Sequence, residues 1–138
     1  MPYTDSLSDR ELLVQFENCS LPPEELTHEV MLKISWILIR KYGVKQAIVK
    51  NIELKQQFFI KAMNSDKFNK TLTKAYTEIL HHFMELSATP NNFDKVIREF
   101  PRLKFNFQNL VKTHYGYNIL KEHRKEEPKE KRPILFNC

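Results

Sequence analysis

The chain reads as an all-α fold: a single domain over residues 1–138, built as a bundle of about five or six helices with an irregular polar tail from about residue 122. Three observations point there. Only two glycines occur, whereas hairpins and sheet corners need Gly wherever φ is positive. Apolar residues recur at three- and four-residue spacing in successive segments, the period of a helix that buries one face. The breaks between those segments carry Pro, Asn and Ser. A length of 138 residues is enough to bury a core as one domain.

The first helix starts at Ser8-Asp9-Arg10-Glu11, a capping box in which the Ser side chain bonds the N3 amide and Glu reaches back. Leu12, Leu13 and Phe16 then share a face, and the helix ends near Asn18. Leu21-Pro22-Pro23 breaks the chain, although Pro23 suits the first position of a new turn. The second helix opens at Pro23 or Thr27 and runs to Tyr42. Its stripe of Val30, Ile34, Ile37 and Leu38, widened by Met31, Trp36 and Ile39, is that of a central helix. Gly43 is a C-terminal stop that takes positive φ. A third helix over residues 44–63 follows at once, with Val44, Ile48, Ile52, Phe59 and Met63 as its stripe, so the two pack as antiparallel neighbours.

Asn64-Ser65-Asp66 reads as a turn and cap before a fourth helix over residues 67–86, marked by Phe68, Leu72, Ala75, Tyr76, Ile79, Leu80 and Phe83. Thr89-Pro90 has the form of an N-cap with Pro at N1, opening a helix to Phe100 that Pro101 ends. Leu103, Phe105, Phe107, Leu110 and Val111 mix helical and alternating spacing. Pro128 and Pro133 forbid a continuous helix in the tail, and Ile134-Leu135-Phe136 is a candidate to dock back on the core.

Net charge is +5, and much of the excess lies in residues 121–132, where six Lys and Arg mix with four Glu. A mixed run of this kind is a solvated surface first and a phosphate site second. Two cysteines, Cys19 and Cys138, form no disulfide framework or Cys-x-x-Cys half-site. Cys19 reads as a buried thiol. The N-terminus lacks a signal-peptide pattern, and no run approaches the roughly 18 apolar residues of a membrane span. The expected setting is the cytoplasm, without membrane partners.

The candidate site gathers at the start of the second helix and the start of the fourth. His28, beside Thr27, is either a hydrogen-bonded structural residue or an acid–base or ligand-contacting group. Glu17 is either solvated, bonded to the amides at the start of the second helix, or aimed into the cleft between the first two helices. Asn69 shares a face with Thr73 and Thr77, whose hydroxyls commonly bond back to helix carbonyls. Lys70 and Thr71 lie in the same turn. Tyr76 is a core Tyr with a bonded tip or a hydroxyl offered to a pocket. His81 and His82 face different ways and cannot chelate as a pair. The cluster His114-Tyr115-Gly116-Tyr117 with Lys112 mixes aromatics and cations, but no phosphate loop, helix-turn-helix or RNA-binding motif accompanies it, so nucleic acid is not the expected partner. No cofactor and no metal are expected.

The stretch Phe16-Glu17, Leu21-Pro22, Thr27-His28 and Leu32 resembles the opening motif of an uncharacterised family of small bacterial helical proteins, F-E-x-x-x-L-P-x-x-x-x-x-H-x-x-H-L. Trp36 and Arg40-Lys41-Tyr42-Gly43 continue the likeness. The stretch over residues 67–73 looks like the counterpart of a later Y-H-E-T motif, and His114-Tyr115 like a late Tyr-containing turn. The resemblance implies a helical fold with a polar pocket and no settled function. Met31 stands where the first motif has its second His, and Asn69-Lys70 where the second has His-Glu. Three polar members of such a pocket are therefore absent, which leaves little of a His-based metal site.

The expected function is a small non-catalytic binding or interaction protein whose polar cleft lies near Glu17, Thr27, His28, Asn69, Lys70 and Thr71. Lys70 and His28 favour a small acidic ligand, with a protein partner as the other choice. The alternative is a cofactor-independent or metal-assisted enzyme using His28 as acid or base with Glu17 orienting it. A homo-oligomer joined through the apolar surface around Trp36, Phe58 and Phe59 is a third expectation.

Overall fold

The computed structural model describes residues 3–66 and 68–115. Gly116, the tail from about residue 122 and Ile134-Leu135-Phe136 lie outside the described residues. The described chain is all-helical, with seven α-helices rather than five or six: α1 (Asp9–Glu17), α2 (His28–Tyr42), α3 (Val44–Lys61), α4 (Lys70–Leu86), α5 (Phe93–Glu99), α6 (Arg102–Phe105) and α7 (Phe107–Tyr115). Two 3-10 turns, Tyr3–Ser6 and Pro23–Glu25, precede α1 and α2. The extra helices come from residues 102–115, where the alternating Leu103, Phe105 and Phe107 belong to two helices split at Asn106.

Local chemistry sets most ends. The Ser8 hydroxyl accepts from the Glu11 amide at 3.1 Å while the Ser8 amide donates to Glu11 Oε1 at 2.8 Å, the capping box expected at α1. Thr27 Oγ1 accepts from the Val30 amide at 3.2 Å and starts α2. Gly43 ends α2 and begins α3 at φ +83°, a conformation that strains any residue with a Cβ. Two starts differ from expectation. α4 is capped by Asn69, whose Oδ1 accepts from the Leu72 amide at 2.9 Å, not by the turn at residues 64–66. α5 is capped by Asn92 rather than Thr89, because the Pro90 carbonyl is held by the Trp36 indole N–H at 2.8 Å and the loop turns there instead.

Helices α2, α3 and α4 pack mutually as the core. Ser35 and Asn51, each eight residues from Gly43, meet at 2.8 Å, so α3 folds back along α2. The buried face of α3 is Ala47, Asn51, Lys55 and Phe58. The expected stripe is thus displaced: Val44, Ile48, Ile52 and Phe59 are half-buried and Met63 is exposed. Polar partners on the neighbouring helices cause the displacement. Asn51 Nδ2 donates to Ser35 Oγ and to Thr77 Oγ1 (2.8 and 3.0 Å), and both hydroxyls donate back to helix carbonyls at Met31 and Thr73. This neutral seam crosses all three core helices. Of the apolar residues expected to join copies, Trp36 and Phe58 are buried in the core and Phe59 is half-buried. Cys19 is half-buried at φ +62° rather than fully buried.

Candidate functional site

His28, the first residue of α2, is the point where three separate parts of the chain meet. Its Nε2 lies 2.8 Å from the Leu103 carbonyl of α6. A carbonyl only accepts, so Nε2 carries the proton. In the neutral ring Nδ1 is then an acceptor, and the Tyr76 hydroxyl of α4 donates to it at 2.6 Å. Both ring nitrogens are therefore committed to the protein. Thr27 places this ring by capping α2, and the Tyr76 and Phe107 rings enclose it: His28–Phe107 centroids are 5.0 Å apart and Tyr76 stacks on Phe107 at 4.5 Å.

Behind Tyr76 lies Lys55, only 4% exposed, with Nζ 4.6 Å from the centre of the Tyr76 ring. No carboxylate pairs with it among the described residues. The ring face supplies cation–π attraction in place of a counter-charge. Burial lowers the ammonium from an ordinary 10.5 to about 8 and pushes the Tyr76 hydroxyl up to about 12. Tyr76 therefore keeps its proton throughout the physiological range.

Two clefts open on His28. One, of about 540 Å³, has Tyr76, Phe107, Leu72 and Val111 as its apolar floor and Lys104, Lys112, Asn106 and Gln108 around it. The other, of about 520 Å³, runs past Thr27, Glu29, Val30 and Lys33 towards Phe93 and Asp94, with Glu25 beside it. Both lie in the range of small-ligand pockets. Lys104 bridges to Glu29 at 3.2 Å between them.

The expected site residues separate in this geometry. His28 lines both clefts and Thr27 one. Glu17 is exposed at the end of α1 and lines neither. Asn69 is occupied as the α4 cap, while Lys70 and Thr71 are exposed in the first turn of α4; Leu72, the next residue, is the first of that helix to reach the cleft. Thr73 and Thr77 bond back to the carbonyls of Asn69 and Thr73. Residues of α6 and α7, which build more than half of the first cleft, carry no sequence signal beyond scattered aromatics and lysines. Lys55 had none either: it shares one helical face with Asn51 and Phe58, but only the structure shows that this face is the buried one.

No protein-family model matches the chain, and comparison with curated proteins and with solved structures returns no match either. Among the described residues no helix is long and apolar enough to cross a membrane, and no three of His, Cys, Asp and Glu converge as a metal-ligand set.

Proposed function

We propose that this chain is a small, non-catalytic binding protein that holds a small acidic molecule in the cleft between the start of α2, helix α4 and the α6–α7 segment. The observation that carries this is the cleft of about 540 Å³ with an aromatic floor and two lysines beside it. An apolar body packs on Phe107 and Tyr76, and an anionic group is attracted to Lys112 and Lys104. His28 serves as a latch. Its two bonds fix the cleft wall, and with both nitrogens occupied it is poorly placed to move a proton for a substrate, which weighs against the enzyme alternative with Glu17. The same reading fits the polar pocket that the Phe16–Glu17 motif resemblance implies, although the pocket centres on Tyr76 and Lys104 rather than on Glu17 and Lys70. A cytoplasmic setting belongs to this proposal.

The test is a thermal-shift series on the full chain with benzoate, citrate, nucleotides and divalent metals. A ligand bound only by the folded state at about 100 times its Kd stabilises by about 2.7 kcal/mol, a rise of several degrees. An aromatic carboxylate is expected to raise the midpoint, and Lys112→Glu to abolish the rise. A flat response across the carboxylates would remove the proposal.

A further inference from the structure

The two clefts share His28, Lys104 and Phe105, and they differ in charge. In the first, Lys104 is matched by Glu29, and Lys112 has no ion-pair partner among the described residues. In the second, Lys33 is matched by Asp9 at 3.6 Å, while Glu25 and Asp94 have no such partner among the described residues. Helix starts favour a carboxylate at both places, Asp94 in the first turn of α5 and Glu25 just before the Thr27 cap of α2, yet neither carboxylate has a cationic side-chain partner among the described residues. Two matched pairs thus leave a cation at one end and two carboxylates at the other. Between them stands Phe105, 77% exposed, with the Lys104 ammonium 5.2 Å from its ring centre. A Phe ring left in water forgoes a large apolar burial. Its backbone is held in place all the same, since α6 is tied to α2 both by Leu103 on His28 and by Lys104 on Glu29.

We propose that the clefts are two halves of one polarised groove, and that its ligand is a peptide-sized zwitterion with an aromatic centre. Its anionic end lies at Lys112, its ring covers Phe105 and its cationic end lies at Glu25 and Asp94. This rests on the binding reading above and adds the second charge and the length. A simple carboxylate would use the first cleft alone. The zwitterion places an opposite charge at each unmatched end and covers the exposed ring in the middle.

The test uses isotope-labelled full chain and three blocked tripeptides: acetyl-Asp-Phe-Lys-amide, acetyl-Asp-Phe-Gln-amide and acetyl-Asn-Phe-Lys-amide. The doubly charged peptide is expected to bind about three- to five-fold tighter than either singly charged one, the size of partly exposed ion pairs, and to shift amide signals in both clefts. Lys112→Gln is expected to erase the advantage of the Asp end alone, and Glu25→Gln with Asp94→Asn the advantage of the Lys end alone. Phe105→Ala, an exposed change that spares the core, is expected to weaken all three peptides. Equal binding of the doubly charged and Asp-only peptides, with shifts confined to α4 and α7, would overturn the polarised groove and leave the acidic-ligand cleft standing. Absence of binding by all three, while benzoate binds, would also overturn it. Absence of binding by peptides and carboxylates alike would remove both readings.

Discussion

Two buried polar regions cross the same three-helix core, one turn of α3 apart, and they are built on opposite principles. Around Asn51 the groups are neutral and nearly all partnered: two amide hydrogens, two hydroxyls and two helix carbonyls satisfy one another, with Asn51 Oδ1 the one buried atom left without a partner among the described residues. Around Lys55 a full charge is buried against an aromatic ring with no carboxylate paired to it among the described residues. A neutral network costs little once it is hydrogen-bonded. A buried charge without a counter-ion is expensive, and groups perturbed in this way cluster at functional sites. The comparison sets the seam apart as architecture. Lys55, Tyr76 and His28 form the stack behind the proposed cleft.

The largest expected effect breaks this contrast at its costly end. Lowering an ammonium from 10.5 to about 8 corresponds to roughly 3 kcal/mol of destabilisation while it is charged. Between pH 8 and 10.5 the unfolded chain holds more protons than the folded one, so stability rises with pH across that window. Lys55→Met is expected to gain about 3 kcal/mol at pH 7 and to flatten the rise; urea unfolding at pH 7 and pH 10 measures both. An unchanged slope would mean that the ammonium is better solvated than its burial implies.

Next comes Tyr76→Phe. It leaves His28 Nδ1 without its donor in a half-buried setting, and a loss of about 1–3 kcal/mol is expected by denaturant unfolding. Asn51→Leu sharpens the comparison from the other side. It removes the donors and the unpartnered Oδ1 together, and the two hydroxyls keep their carbonyl acceptors. A net change within about 1 kcal/mol is therefore expected, against the much larger gain at Lys55 one turn away. The smallest effect belongs to Glu29→Gln. Its ion pair with Lys104 is partly exposed, so about 0.2–1 kcal/mol is expected, shrinking in high salt.

The capping box at Ser8, the Pro-Pro break and the Gly43 stop were all legible because each involves groups within a few residues of one another, while the start of α2 was narrowed only to Pro23 or Thr27. Helices α1 and α4 were legible for a second reason, a regular apolar stripe. The α3 stripe misled because Val44, Ile48, Ile52 and Phe59 outnumber the apolar members of the face that is buried. Nothing local announces that Asn51 and Lys55 go inside; that depends on Ser35, Thr77 and Tyr76 waiting on other helices. The Thr89-Pro90 cap failed for a like reason, since Trp36, 54 residues away, holds the loop.

The site divides the same way. His28 stood out in sequence by its place at a helix start, and the structure sets it where two clefts meet. Its meaning comes from partners 48 and 75 residues distant, Tyr76 and Leu103. By itself, then, the sequence determined the helical class, the main helix ends and the reversal at Gly43, because backbone hydrogen bonds, caps and positive φ are short-range. Tertiary structure alone decided which face of α3 is buried, what His28 bonds and how the charges divide across the groove, because those depend on which side chains meet once the helices are packed.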